Sequence, residues 1–430
     1  MSKKLYKKAL TLIPGGTMLF SKKPELYLPN KWPTYYNKCK GINVWDIGNN
    51  KLNDFYFGVG QNTLGYCNKN VDSKVIKACK DGNMSSLNCT EEVKLAEKLV
   101  ELHPWSDMVK FARSGGEINS IAMRIARAAS GNDKVAICGY HGWHDWYLAA
   151  NINNNKNLNQ HIIKGLNPLG VPNNLKNTTF PFSYNNIEQL KKIIKEHKIG
   201  TIMMEVQRDK KPENNFLKKV KELCKKNKII LIFDECTSGF RQCLGGLHKV
   251  YKVQPDMAIF GKALGNGYAI TALIGKKEIM NVAQKSFISS TFWTERIGYA
   301  AGLSTLSEMN KVKSWEIISK NGRLVKKLWK EIATNNNLNI SISGIDALPI
   351  FQFDKNHLEY KTLMTQEMLK NKYLVSNVIF MSTLHDEKKI YEYIDFLEKA
   401  FKIIKRCEEG EPIKKFLKSE VSYSPFDRLN

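Results

Sequence analysis

Through the middle of the chain, short apolar runs rich in β-branched and aromatic residues alternate with stretches of helical periodicity. The runs lie at 109–112, 135–138, 201–204, 229–233 and 257–260. Strand-length runs separated by helical patterns predict an α/β fold, a mostly parallel central sheet with helices on both faces. After the first run, Ile118, Ile121, Ala122, Ile125, Ala126 and Ala129 fall on one face of a helix over 117–130, the spacing of a crossover packed on the sheet. The ends of the chain read differently. Strands are expected at 42–47, 55–59, 349–353 and 378–382, and helices over 360–371 and 387–406. A chain of 430 residues exceeds the roughly 250–300 at which a single core stops growing. The expected division is a large domain over 71–315 and a smaller α+β domain built from both chain ends, 1–70 and 316–430.

In open α/β sheets the ligand sits beyond the carboxyl ends of the strands, so the residues after each run are where chemistry is sought. They are Arg113-Ser114-Gly115-Gly116-Glu117, then Gly139-Tyr140-His141-Gly142, then Glu205, then Asp234-Glu235, then Gly261-Lys262. A lysine at the end of an apolar strand has the setting in which desolvation lowers an amine's pKa and lets it attack a carbonyl. Asp234 follows the apolar run 229–233 and would be a costly buried charge unless it met a cation, such as a protonated pyridine nitrogen. Ser114-Gly115-Gly116 lies between a strand and a helix N-terminus, where free N–H groups and the helix dipole favour an anion such as phosphate. Tyr140 offers a flat face for stacking on a ring. Each feature also has an ordinary reading: a lysine reaching water, an aspartate satisfied by backbone donors, a generic turn, and His141 as a hydrogen-bonded core histidine. It is their arrival in one order that fits a single cofactor.

Composition narrows the alternatives. The net charge of +25 raises the prospect of a nucleic-acid partner, but the lysines are spread along the chain, as in 190–198 and 218–228, among many asparagines. A drift toward Lys and Asn accounts for this without a clustered basic face. Against that background the arginines beside the motifs, Arg113, Arg208, Arg241 and Arg296, mark places where a planar fork or a structural ion pair is expected. The nine cysteines form no CxxC pair and are an odd number, so reduced thiols are expected and neither a disulfide framework nor a metal site. No apolar stretch approaches the roughly 20 residues that span a bilayer. Residues 1–16 carry only a short apolar group at 9–13 with no cleavage site after it, so a cytoplasmic protein with no membrane role is expected. Gly58-Val59-Gly60 lacks the third glycine of a dinucleotide turn.

The segments FARSGGEINSIAMRIAR, GYHGWHDWYL, IFDECTSGFR and FGKALGNGY closely resemble the class III aminotransferase family, particularly its branch similar to glutamate-1-semialdehyde 2,1-aminomutase. The resemblance runs from about Ile13 to the C-terminal helix and is strongest in the middle. It implies a fold type I enzyme using pyridoxal 5'-phosphate, active as a homodimer with shared sites. Matched residue by residue, Lys262 falls on the lysine that carries the cofactor as a Schiff base, Asp234 on the partner of the ring nitrogen, and Tyr140 on the stacking aromatic. Ser114, Gly115 and Gly116 fall on the phosphate turn, with His141 and Glu205 beside the ring. Thr291 falls on a threonine that reaches the phosphate from the neighbouring subunit.

The chain departs from the family pattern in places. Gly116 stands where a threonine is usual, and Val206 follows Glu205 where proline is usual. Lys210 occupies the place of a gating glutamate in many ω-amino-acid aminotransferases. Phe292-Trp293-Thr294-Glu295-Arg296 replaces a run of small residues, and 376–380 lacks the acidic residue of the aminomutase. The resemblance thus implies amino transfer between a small-molecule donor and a separate keto or aldehyde acceptor, a sugar being one candidate. The alternative is an intramolecular aminomutase. A basic nucleic-acid-binding protein is the competing class that is not an enzyme, and an absorption spectrum separates it from both.

Overall fold

The computed structural model describes residues 1–159, 161 and 165–423. In chain order the strands are β1 (Tyr36–Lys40), β2 (Asn43–Asp46), β3 (Lys51–Asp54), β4 (Met108–Ala112), β5 (Val135–Cys138), β6 (Thr179–Pro181) and β7 (Thr201–Glu205). They continue with β8 (Ile230–Glu235), β9 (Met257–Phe260), β10 (Thr271–Gly275), β11 (Ile340–Ser343), β12 (Ile350–Phe353) and β13 (Tyr373–Leu374). Among the described residues the chain divides into two units, Lys69–Trp315 in one, and Met1–Asn68 with 316–423 in the other.

The unit Lys69–Trp315 is organised by a seven-stranded sheet in the order β4-β10-β9-β8-β7-β5-β6. β5, β7, β8 and β9 are buried along their whole length, which is why their sequences are unbroken apolar runs rather than alternating ones. Pairing is parallel from β6 through β5, β7 and β8 to β9. β10 is antiparallel to both of its neighbours, β9 and β4. Two reversals restore the direction, so β4 runs the same way as β9. The carboxyl ends of six strands therefore share one edge of the sheet. The sequence reading did not include β6 or β10, and the antiparallel insertion of β10 is the one departure from a parallel sheet. The helix Gly115–Ser130 buries Ile118, Ile121, Ala122, Ile125 and Ala126 and ends at Gly131, whose φ of 62° suits glycine.

In the other unit, β1-β2-β3-β13 form one sheet, with β13 parallel to β3, and β11 and β12 form an antiparallel pair. The helices His357–Lys370 and Glu387–Glu408 cover the regions where helical patterns are expected. Two expected strands are not strands. At 55–59 the chain turns instead, with positive φ at Phe57, Gly58 and Val59, while Phe55 and Phe57 are buried. The alternation there reflects burial of a turn, not a pleat. At 378–382 the backbone is hydrogen-bonded to two sides, Ile379 and Met381 to the carbonyls of Pro349 and Ala347 and Phe380 to that of Phe55. It forms only an isolated bridge between Val378 and Ile350. Among the described residues no helix is long and apolar enough to cross a membrane.

Candidate active site

The sheet edge brings together the ends of β4, β5, β7, β8 and β9, and with them Ser114, Tyr140, Glu205, Asp234 and Lys262. β8 and β9 are adjacent, Asp234 pairing in register with Ile259 and Glu235 with Phe260. Lys262 follows β9 after Gly261, at a φ of 40° that a lysine adopts only under constraint. Burial, with the nearby Arg208, lowers its amine to about 8. The amine donates to the Thr237 hydroxyl at 2.6 Å.

Asp234 is buried, and burial alone would push its carboxyl up. The hydrogen bond and charge of His141, with the N–H of Cys236, outweigh that and hold it below the usual range. His141 Nδ1 lies 2.9 Å from Asp234 Oδ2, and the Cys236 N–H donates to Oδ1 at 3.0 Å. An ionised carboxylate only accepts, so Nδ1 carries a proton toward Asp234, while Nε2 is buried with no partner. His141 thus lies behind the acid.

Glu205 takes the Tyr140 N–H at 3.3 Å on one oxygen and Arg208 at 3.4 Å on the other. Gly139 packs on this carboxylate so closely that a Cβ would come within 2.6 Å of Oε2, and its φ is 117°. That position requires glycine. The Tyr140 ring is 37% exposed and meets Tyr147 edge-on at 6.0 Å. Burial raises its phenol, so the ring is neutral at ordinary pH.

At the helix start, the Ser114 N–H and hydroxyl both donate to Glu117 Oε2, at 2.8 and 3.1 Å. The serine hydrogen is thereby committed to capping. The open donors toward an anion are the N–H groups of the first turn, Gly115 and Gly116 among them. Gly116 has a steric reason: a Cβ there would lie 2.7 Å from His144 Cε1 and 3.2 Å from Trp143 Nε1. The Trp143–His144 stack fills the place a threonine side chain would take.

Thr291 is exposed at the start of the short helix Thr291–Thr294. The structure does not place it in a hydrogen bond with the cluster. The segment after it is tied down by Arg113, which donates to the carbonyls of Phe292, Trp293 and Glu295 at 3.1, 2.9 and 2.8 Å. Its guanidinium also lies 4.9 Å from the Tyr299 ring centre. Arg296 forks onto Glu91 at 3.1 and 2.8 Å.

At the end of β8 and in the loop after it, sequence reasoning named Glu235 and Arg241 but missed Thr237. Glu235, fully buried, accepts from Ser238 Oγ, the Leu247 and His248 N–H groups and the His248 ring. Trp105 donates to His248 Nε2, so His248 donates to Glu235 from Nδ1. Arg241, also fully buried, donates to the Thr237 carbonyl at 2.6 Å. The only signal for Thr237 was its position three residues after Asp234; nothing local says which way its hydroxyl turns. Among the described residues no group of three or more His, Cys, Asp and Glu could hold a metal ion.

The donor set suits pyridoxal phosphate: an amine for its carbonyl, a buried carboxylate for its ring nitrogen, an aromatic face, and free N–H groups for its phosphate. Residues 28–370 match the Aminotransferase class-III family. The 3-aminobutyryl-CoA aminotransferase of Cloacimonas acidaminovorans (strain Evry) is 32% identical, over 92% of this chain and 93% of that protein. The glutamate-1-semialdehyde 2,1-aminomutase of Wigglesworthia glossinidia brevipalpis is 30% identical, over 94% and 98%. Among solved structures, the PLP internal aldimine form of the FumI protein of Sphingopyxis sp. MTA144 superposes with a TM-score of 0.86 at 21% identity, covering 97% of this chain and 99% of that one. The fold is accordingly fold type I, and the cofactor is pyridoxal 5'-phosphate. The chain belongs to the class III aminotransferases, as a pyridoxal-phosphate-dependent enzyme of the transaminase or aminomutase kind.

Proposed function

We propose that Lys262 carries the cofactor, that Asp234 faces its ring nitrogen, and that the enzyme moves an amino group from one small molecule to another. The observation that carries this reading is the pairing of a half-buried amine and a buried ionised carboxylate on the ends of adjacent strands, joined through one turn. Cys236 donates to Asp234 and Thr237 accepts from Lys262. The cofactor, when bound, supplies a carbonyl and an electron sink. Asp234, kept negative by His141, stabilises positive charge at the nitrogen facing it. Tyr140 presents its ring face, and the Gly115 and Gly116 N–H groups meet the phosphate. The Lys262 amine, near 8, can both take and give a proton close to neutral pH and acts as general base and acid.

Transfer between separate molecules is preferred over aminomutation for two reasons. The bulky 292–296 segment is fixed by Arg113 and by the Arg296–Glu91 pair, and the Cloacimonas relative is named an aminotransferase. The protein works as a homodimer with shared sites, a reading supported by exposed aromatics flanking the turn: Trp143 is 68% exposed and Phe292 71%. In that dimer Thr291 reaches the partner's phosphate site. All nine cysteines are free thiols, which suits a reducing, cytoplasmic setting.

The test is to load the protein with pyridoxal phosphate and screen amino donors for loss of the visible absorption of lysine-bound cofactor, with mass analysis of products. Keto sugars, acyl thioesters and glutamate semialdehyde are the acceptors to offer first. Release of a carbonyl product with one donor and regeneration by a different acceptor supports transfer. Isomerisation of a single compound with no released product supports the aminomutase.

A further inference from the structure

The loop after β8 carries more than the strand-end acid. Glu235 and Arg241, both fully buried, fasten it from behind through Ser238, Leu247, His248 and the Thr237 carbonyl. Thr237 itself is 8% exposed. Its carbonyl is anchored by Arg241 and the next residue by Glu235, which places its hydroxyl before any ligand arrives. That hydroxyl is the acceptor for the Lys262 amine at 2.6 Å, while the preceding N–H, of Cys236, holds Asp234 at 3.0 Å. One short turn thus fixes both the acid and the amine.

We infer that Thr237 is a positioning residue for the reaction: its hydroxyl parks the Lys262 amine whenever that amine is not covalently engaged, so that protons are taken and delivered from a fixed place. The inference rests on the reading of Lys262 as the cofactor-carrying amine. A long flexible lysine released into an open site samples many rotamers, and a single buried acceptor at its tip removes most of that freedom. The charges around the amine are Arg208, Arg241, Glu205 and the Cys236 thiol, the last pushed up by burial and so uncharged. A hydroxyl acceptor favours the charged form of the amine, since hydrogen bonds to ionised donors are the stronger ones. Removing it leaves burial and the two arginines opposed only by Glu205, and the amine's pKa falls.

The experiment follows capture of pyridoxal phosphate by unloaded protein across pH, by stopped-flow absorbance, in wild type, Thr237→Val, Thr237→Ser and Lys262→Ala. Valine preserves the shape of threonine and removes the hydroxyl. On the high-pH plateau, where the amine is neutral with or without the hydroxyl, capture in Thr237→Val is expected to slow by about tenfold, on the order of a lost positioning contact. The midpoint of its pH profile should move to lower pH, and Thr237→Ser should restore both. Single-turnover proton transfer should fall in the same variant, with the equilibrium affinity for cofactor nearly kept. An unchanged rate and midpoint in Thr237→Val would overturn the inference. So would equal loss in the valine and serine variants accompanied by a lower melting temperature, which marks a structural role only. If the wild type fails to capture the cofactor, or Lys262→Ala captures it as well, the reading of Lys262 falls and this inference falls with it.

Discussion

At Lys262 and Asp234, burial works in opposite directions on the two ionisable groups: it is the larger cause at the lysine, and the neighbours outweigh it at the aspartate. Lys262 has two guanidinium groups near it and is left near 8. Asp234 has His141 and an N–H, and stays below its usual value despite burial. Since only the neutral amine attacks, the rate of cofactor capture should rise with pH through about 8 and level off above it. The same amine is linked to stability. Between about 8 and its ordinary 10.5 the unfolded chain binds more protons than the folded one, so the unloaded protein should gain stability as pH rises across that window. Lys262→Met should flatten this slope in melting curves taken without cofactor. Asp234→Asn keeps the size and loses the charge. It should retain cofactor while single-turnover proton transfer falls by about a hundredfold or more, the order lost with one preorganised charge contact. Near-normal transfer in that variant would remove Asp234 from its role.

Elements matter through what their ends present. The helix Gly115–Ser130 is legible from its apolar face, while its start, two residues before the expected 117, is set by the Ser114–Glu117 capping box. The absence of a threonine at Gly116 is legible too, but not its cause. The Trp143–His144 stack occupies that space, so Gly116→Thr should not recover a lost hydroxyl. It should instead force the turn and weaken cofactor binding, with overpacking costing about 1–3 kcal/mol. His144→Ala combined with Gly116→Thr should relieve the clash, and titration of cofactor into the wild type and these two variants reads this directly. Tighter binding by the single Gly116→Thr variant would show that the space is open.

Across the whole molecule, the shared-site reading makes a prediction that a self-contained protomer cannot meet. If Thr291 serves the partner's site, Lys262→Ala and Thr291→Ala protomers refolded together should form heterodimers with one intact site. Random pairing then restores about a quarter of the wild-type sites, although each variant alone is impaired. If Thr291 served its own chain, no mixture would hold a complete site and activity would stay at the level of the parents. Light scattering on the purified wild type should show twice the chain mass of 49.2 kDa.

The local pattern of the chain was enough to place β4, β5, β7, β8 and β9, the buried face of the helix after β4, and the reactive groups at the strand ends. Burial imposes a period on sequence, and strand ends in such sheets are where ligands gather. The same pattern misled at 55–59 and 378–382, because buried apolar side chains look alike whether the backbone is pleated, turned or bridged. Strand direction left no trace either: the antiparallel entry of β10 between β4 and β9 depends on how the connections run. Only the folded chain shows Thr237 meeting the lysine, His141 behind the acid and His144 in the place of a missing side chain. These are contacts between residues distant along the chain, and a local pattern records that a position is buried without recording against what.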